Sequence, residues 1–286
     1  MMISNRYEFV MFFDVENGNP NGDPDAANMP RVDPETGYGF VTDVCLKRKI
    51  RNYVQLACEG KAGYDILIKP GKALNTVFSE AYDTLGLERG QKGKKTDEVA
   101  AARAYMCENF FDVRTFGAVM STGDDPCGIV RGPVQINFAR SVSPIFTQDV
   151  SITRQARTTE ERQETGETEM GRKSVIPYAL YRAEGYVSAA LAQKSTGLTE
   201  DDLEILWEAI INMFEHDHSA ARGKMCMRKL YIFRHDSILG NCPSCALFER
   251  IRAEAVDPMT PPRSFRDYRI TVEEEMPAGV ALINRL

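Results

Sequence analysis

The chain has 286 residues, a formal net charge of −6 and 43% apolar residues, enough to bury a large core in one elaborate domain or two. No apolar leader opens it and no stretch approaches about 18 continuous apolar residues, so the sequence predicts a cytoplasmic protein, neither secreted nor membrane-spanning. Its acidity does not announce a general nucleic-acid binder, but charge is uneven and leaves the question open: residues 222–234 hold five basic residues and no acid, whereas residues 158–169 hold five glutamates and one arginine.

Residues 7–15 read as a buried strand, a short aromatic-rich apolar run ended by turn formers. Residues 16–41 then hold four Gly and four Pro, a density at which neither helix nor strand is expected. A connection this long inside a compact domain predicts a working surface. Residues 42–58 form a helix with Leu46, Ile50, Tyr53 and Val54 as its apolar stripe, Lys47, Arg48 and Arg51 on one flank and Lys49 on the other. Loop and basic flank together predict a groove for a polyanion.

Further along, residues 110–117 read as a strand entering a turn, and residues 132–140 as a half-buried strand. Residues 150–157 and 170–176 flank a segment, 158–169, without one aliphatic or aromatic side chain, as the stems of a protruding hairpin flank its tip. The chain returns to a core pattern after Pro177. A helix over residues 199–216 opens on a capping-box-like Thr199-Glu-Asp-Asp202, and strands follow at 227–234 and 268–273. The expectation is a single domain with a small α/β or α+β sheet carrying insertions.

Templates for chemistry fail on inspection. Asn17, Asn19, Asn21 and Gly22 imitate an EF-hand start, but Asn28 stands where the bidentate Glu belongs. The glycines and lysines at residues 90–96 miss a phosphate-binding loop, since Lys95 and Glu88 occupy required Ser/Thr and Gly positions. Seven cysteines suggest reduced thiols, and Cys242-Pro-Ser-Cys245 lacks a second such pair to complete a zinc site, even with His216 and His218 nearby in sequence. Asp14, Asp23, Asp25 and Asp33 could gather a divalent metal, although aspartate beside Gly and Pro is ordinarily a turn former. No cofactor and no metal are expected.

Asn17-Gly-Asn-Pro-Asn-Gly-Asp-Pro24, Pro30-Arg-Val-Asp33, the 42–54 helix, Phe111-Asp-Val-Arg114, Met170-Gly-Arg-Lys173 and Pro177-Tyr-Ala-Leu-Tyr-Arg182 together resemble the CRISPR-associated backbone subunit of type I-C Cascade, in the Cas-seven family of repeat-associated RNA-binding proteins. The likeness spans roughly residues 5–275. It implies an α+β hand: a modified RNA-recognition-motif (ferredoxin-like) palm, the loop at about 16–41, helical fingers within about 61–109 and a β-hairpin thumb at 141–177. It also implies a non-catalytic subunit that lines up head to tail with copies of itself along CRISPR RNA and presents the guide to target DNA. Its further partners would be repeat-processing, large and small subunits and a recruited helicase-nuclease. The residues implied for RNA contact are Asn19, Asn21, Arg31, Lys47, Arg48, Arg51, Arg114, Arg140, Arg154, Arg157, Met170, Arg172 and Lys173. The alternative within the same superfamily is a metal-dependent ribonuclease using Asp23, Asp25 or Asp33.

Overall fold

Nine consecutive buried residues, Tyr7 to Val15, form the spine of the molecule. Phe9, Met11, Phe13 and Val15 belong to one hydrophobic core and Val10 and Phe12 to another. A strand buried on both faces needs no apolar–polar alternation, which is why Phe9 to Phe13 are apolar without a break. The computed structural model describes residues 1–90, 95–154 and 169–286, without the side chains of Arg154, Glu169 and Met170. Arg157, the segment 158–168 and the loop residues 91–94 lie outside the described residues.

In chain order, β1 (Tyr7–Gly18) is followed by the short β2 (Gly22–Asp23) and β3 (Met29–Pro30), then β4 (Tyr38–Val41) and α1 (Asp43–Ala57). Helices α2 (Leu74–Leu85), α3 (Thr96–Asn109) and α4 (Phe111–Phe116) precede a hairpin of β5 (Gly117–Met120) and β6 (Gly128–Arg131). Next come β7 (Val134–Ile136), β8 (Ala139–Pro144), β9 (Gln148–Arg154) and the long β10 (Glu169–Val187). The chain closes with α5 (Glu200–Asn212), β11 (Lys224–His235), α6 (Ser244–Phe248), β12 (Ile251–Ala255), β13 (Tyr268–Val272) and β14 (Val280–Asn284).

The main sheet runs β14-β11-β1-β10-β8-β4, with every pairing antiparallel. Numbered along the chain, its centre has the order fourth, first, third, second: β11, β1, β10, β8. Helices α1 and α5 cover one face, with Leu46, Ile50, Val54, Leu206, Trp207 and Ile210 in the core that contains Phe9 and Phe13. Trp207 meets the Phe9 ring edge-on at 5.2 Å. Helix α6 and the β12–β13 ribbon cover the other face through Leu247, Phe248, Ile251 and Tyr268. A third core, containing Phe78, Tyr82, Met106 and Val130, unites α2, α3 and the β5–β6 hairpin.

Three expectations need correction. Residues 111–116 form the helix α4, all six of them buried. A short apolar run does not separate helix from strand by periodicity; here the Asp112 carboxylate, 1% exposed, sits in the first turn and accepts Leu67 N–H (2.8 Å), Ile68 N–H (3.1 Å) and Arg51 Nε (2.7 Å). Residues 16–41 do form strands: β1 continues to Gly18, β2 pairs with β3, and β4 joins the main sheet through β8. Finally, residues 132–140 do not make one strand. Between the pairs Ile136–Gly185 and Arg140–Arg182, three residues on that side face two on β10, a bulge that separates β7 from β8.

Helix α1 follows its sequence reading closely. Thr42 caps it, its hydroxyl accepting the Cys45 N–H. The expected hairpin stems pair as β9 and β10, from Gln148–Val175 to Arg154–Glu169. Thr199 and Asp202 form the capping box at the start of α5.

Candidate nucleic-acid interface

Backbone contact between two distant glycines brings the site together. A Cβ on Gly18 would lie 1.9 Å from the Arg222 carbonyl oxygen, and one on Gly223 (φ +65°) would lie 2.5 Å from the Asn17 carbonyl oxygen. Only glycines let β1 and residues 221–223 approach this closely. Asn19 N–H then donates to Ala221 O at 2.9 Å. The Asn side chains stitch the loop: Asn19 Nδ2 donates to Asn28 O (2.7 Å), and Asn21 Oδ1 accepts from both the Thr42 N–H and its hydroxyl (3.0 Å each). Gly22 leaves room for the Asn28 amide, since a Cβ there would lie 1.9 Å from Asn28 Oδ1 and would force that side chain to move.

The result is a groove of two adjoining cavities, about 500 and 280 Å³, that share Asn19, Asn28 and Ala221. Arg31, Arg48, Lys49 and Arg222 line the first, beside the N-terminal turn of α1; Arg172 and Lys173 from the hairpin base line the second. Lys49 is 1% exposed and ion-paired with Asp217, which also receives Arg222 Nε at 2.9 Å. Burial pushes the Lys49 pKa down and the Cys45 thiol up, so Cys45 is a packing residue here. Arg31 is 3.5 Å from Asp23, and its buried Nε has no protein partner. Guanidinium and ammonium groups, amides and the Ser219 hydroxyl are donors suited to phosphate and sugar.

The groove thus gathers Asn19, Asn21, Arg31, Arg48, Arg172 and Lys173 from the expected set. Others stand elsewhere. Lys47 pairs with Asp43 at 2.9 Å, Arg51 with buried Asp112, and both cations lie over the Phe116 ring, so they seal α1 against α4. Arg114 is 7% exposed, and its five N–H groups meet five acceptors at 2.7–3.1 Å: both Asp202 oxygens and the carbonyls of Cys107, Glu108 and Gly63. Arg114 thus has no N–H left to offer RNA. Arg140 lies on the opposite sheet face, beside Arg182 and Ala253. For Arg154 and Met170 only the backbone pairing in the hairpin is described, and Arg157 falls outside.

Sequence reasoning missed Arg222 and Ser219 as groove residues. The acid-free basic run from residue 222 was the available signal; the glycine contact that carries it to the loop is not legible without the fold. Of the aspartates in the ribonuclease alternative, Asp23 and Asp33 are engaged as turn formers. Asp23 accepts the Asp25 N–H (3.2 Å), and Asp33 accepts the Glu35 N–H (3.1 Å) and the Thr36 hydroxyl (2.8 Å). Among the described residues no three His, Cys, Asp or Glu side chains converge to hold a metal, and no helix is long and apolar enough to cross a membrane.

Fold and groove define a mixed α/β protein with a large antiparallel sheet and a donor-lined channel at one end of it. The family model for CRISPR-associated protein Cas7 matches residues 5–273, and the chain belongs to that family. A CRISPR-associated protein Cas7 from Haloferax volcanii is 34% identical over 123 residues, a match that spans 42% of this chain and 34% of that protein. Among solved structures, a chain of "CRISPR RNA-guided surveillance complex, pre-nicking" aligns with TM-score 0.48 and 16% identity, covering 80% of this chain and 78% of that one. A chain of "CRISPR RNA-guided surveillance complex" aligns with TM-score 0.43 and 13% identity over 80% and 68%.

Proposed function

We propose that this chain is the non-catalytic backbone subunit of a type I-C CRISPR surveillance complex, holding CRISPR RNA in the groove between α1, residues 16–41 and the hairpin base. The observation that carries this reading is the convergence of Arg31, Arg48, Arg222, Arg172 and Lys173 on one channel. A track for any guide sequence must address phosphate and sugar, and these side chains suit that task. Membership in the Cas7 family supports the same role.

On this reading the βαββαβ core with strand order fourth, first, third, second is the modified RNA-recognition-motif palm. The α2–α3 unit, whose core extends through β6, serves as fingers, and β9 with the distal part of β10 as thumb. Copies assemble head to tail along one RNA, alongside repeat-processing, large and small subunits. The guide then pairs with target DNA, and a helicase-nuclease is recruited for cutting.

The test combines two readouts on the purified chain. Labelled single-stranded RNA with magnesium should be bound and remain intact; fragments that scale with protein concentration would reject the non-catalytic reading. Neutralising Arg48 and Arg222 together should lower the log–log salt slope of binding by about 1.4, at roughly 0.7 per phosphate on a single strand. An unchanged slope would remove the groove as the RNA track.

A further inference from the structure

The bulge between β7 and β8 has a chemical consequence on the face of the sheet opposite the groove. In a regular strand each residue is held flat against its partner, whereas an extra residue bends the strand and re-aims a side chain. Here the bulge spans Asn137 to Ala139, and Asn137 N–H donates to Glu184 O at 2.8 Å. Phe138 emerges from it 52% exposed. Its ring is parallel to that of Phe40 on β4, at 2° and 6.1 Å between centroids, so Phe40 backs the exposed ring.

Two residues on stands Arg140, the register partner of Phe40 and of Arg182. Arg140 is exposed and makes no hydrogen bond or ion pair among the described residues. Together Phe138, Arg140, Val142, Arg182, Glu184 and Ala253 line a cleft of about 300 Å³ where the β12–β13 cover ends against β8. Arg182 is bound to the carbonyls of Ile251 and Phe248 and to Glu184 (2.9 Å), yet its buried Nε has no partner. The cleft lining thus holds two guanidiniums and one carboxylate, with Asp33 in electrostatic range of Arg140 but not paired with it, and an exposed π-face at its rim.

We propose that Phe138 and Arg140 form a second nucleotide site, taking one unpaired nucleotide of a single strand, with its base on the Phe138 ring and its phosphate on the Arg140 guanidinium. Stacking on an oriented aromatic with a neighbouring cation is sequence-tolerant, because every base offers a π-face. A lone exposed phenylalanine would equally suit an apolar protein contact; the Arg140 guanidinium beside it, exposed and without a direct carboxylate partner among the described residues, favours a polyanion. The proposal rests on the nucleic-acid reading of this chain, but its site shares no residue with the groove.

The experiment uses the full chain with single-stranded RNA carrying 5-iodouridine and with DNA of the same sequence carrying 5-iododeoxyuridine. After irradiation, the crosslinked peptides are mapped by mass spectrometry. A crosslink at Phe138 is expected, and whichever of the two arms gives it identifies the strand. In the variant with Arg48 and Arg222 neutralised, Phe138→Ala should weaken the remaining oligonucleotide binding by roughly five-fold or more, whereas Phe138→Tyr should preserve it. Arg140→Gln should weaken it as well, and because both side chains are exposed, melting temperatures should not move. Crosslinks confined to groove peptides in both arms would overturn the second site while leaving the groove reading intact. A Phe138→Ala change in assembly mass without change in binding would overturn it in favour of a protein contact. No crosslinks anywhere would overturn both readings.

Discussion

Arg114 illustrates how a cation in a matching motif can belong to the fold. With its donors consumed and Asp202 buried opposite, Arg114→Met should cost about 3–5 kcal/mol in urea unfolding, the usual penalty for orphaning one member of a buried pair. The salt slope of RNA binding should not change; a reduced slope would return Arg114 to the RNA. Burial alone would raise the Asp202 pKa, but the Arg114 hydrogen bonds and charge, with the Thr199 bonds, hold it below the ordinary 3.8. A folded pKa below the unfolded one adds stability that is complete above that ordinary value and is lost as pH falls through the depressed folded value. Asp202→Asn should therefore flatten the loss of stability on acidification in that window, measured by urea midpoints at stepped pH. The α1 cations divide the same way. Neutralising Lys47 and Arg51 should leave the salt slope unchanged but lower stability, because Arg51 is the cation beside buried Asp112.

At the scale of elements, α1 and the loop before it act as one unit. Thr42→Ala removes both the helix cap and the hydroxyl bonded to Asn21, so it should cost about 1–2 kcal/mol by thermal or urea melting and also weaken RNA binding. Loss of stability without loss of binding would detach the loop from the site. The hairpin should be separable from the core: among the described residues β9 pairs only with β10, from Glu169 to Val175, and the core contribution of β10 begins at Ile176. Replacing residues 148–174 with a short Gly-Ser linker should leave a cooperatively folded monomer that assembles poorly on RNA, as seen by electron microscopy beside a thermal melt. It should also lower affinity, since Arg172 and Lys173 leave the groove. Normal filaments would reduce the segment to a surface loop, and a collapsed melting temperature would place it in the core.

For the whole molecule, a head-to-tail contact is heterologous and does not close on itself, so assembly length should follow the RNA. Native mass spectrometry on RNAs of increasing length should show copy number rising in steps; a fixed oligomer in the absence of RNA would contradict this. The acidic total is compatible with such a role because the groove cations are concentrated where few carboxylates remain uncommitted: Asp23 is spent on Arg31 and Asp217 on Lys49 and Arg222.

Local rules made several elements readable in advance. The aromatic-rich apolar run of β1, the Thr42 cap and four-residue stripe of α1, and the Thr199–Asp202 capping box each depend on near neighbours, and each was recovered within a residue or two at one end or both. The hairpin stems were legible for the same reason, as two β-rich runs around a polar segment. Three features depended on partners far away in sequence. Residues 111–116 became a helix because Asp112 is claimed by Leu67, Ile68 and Arg51; Arg114 became structural because Asp202 lies 88 positions on; and Phe138 was turned outward by a one-residue mismatch against β10. By itself the sequence determined that a polar loop and a basic helix adjoin. Which cations face the groove was decided only by tertiary packing, because Arg51 and Arg114 are taken up by carboxylates brought from distant parts of the chain, Asp112 and Asp202, whereas Arg48 and Arg222 are carried to the channel.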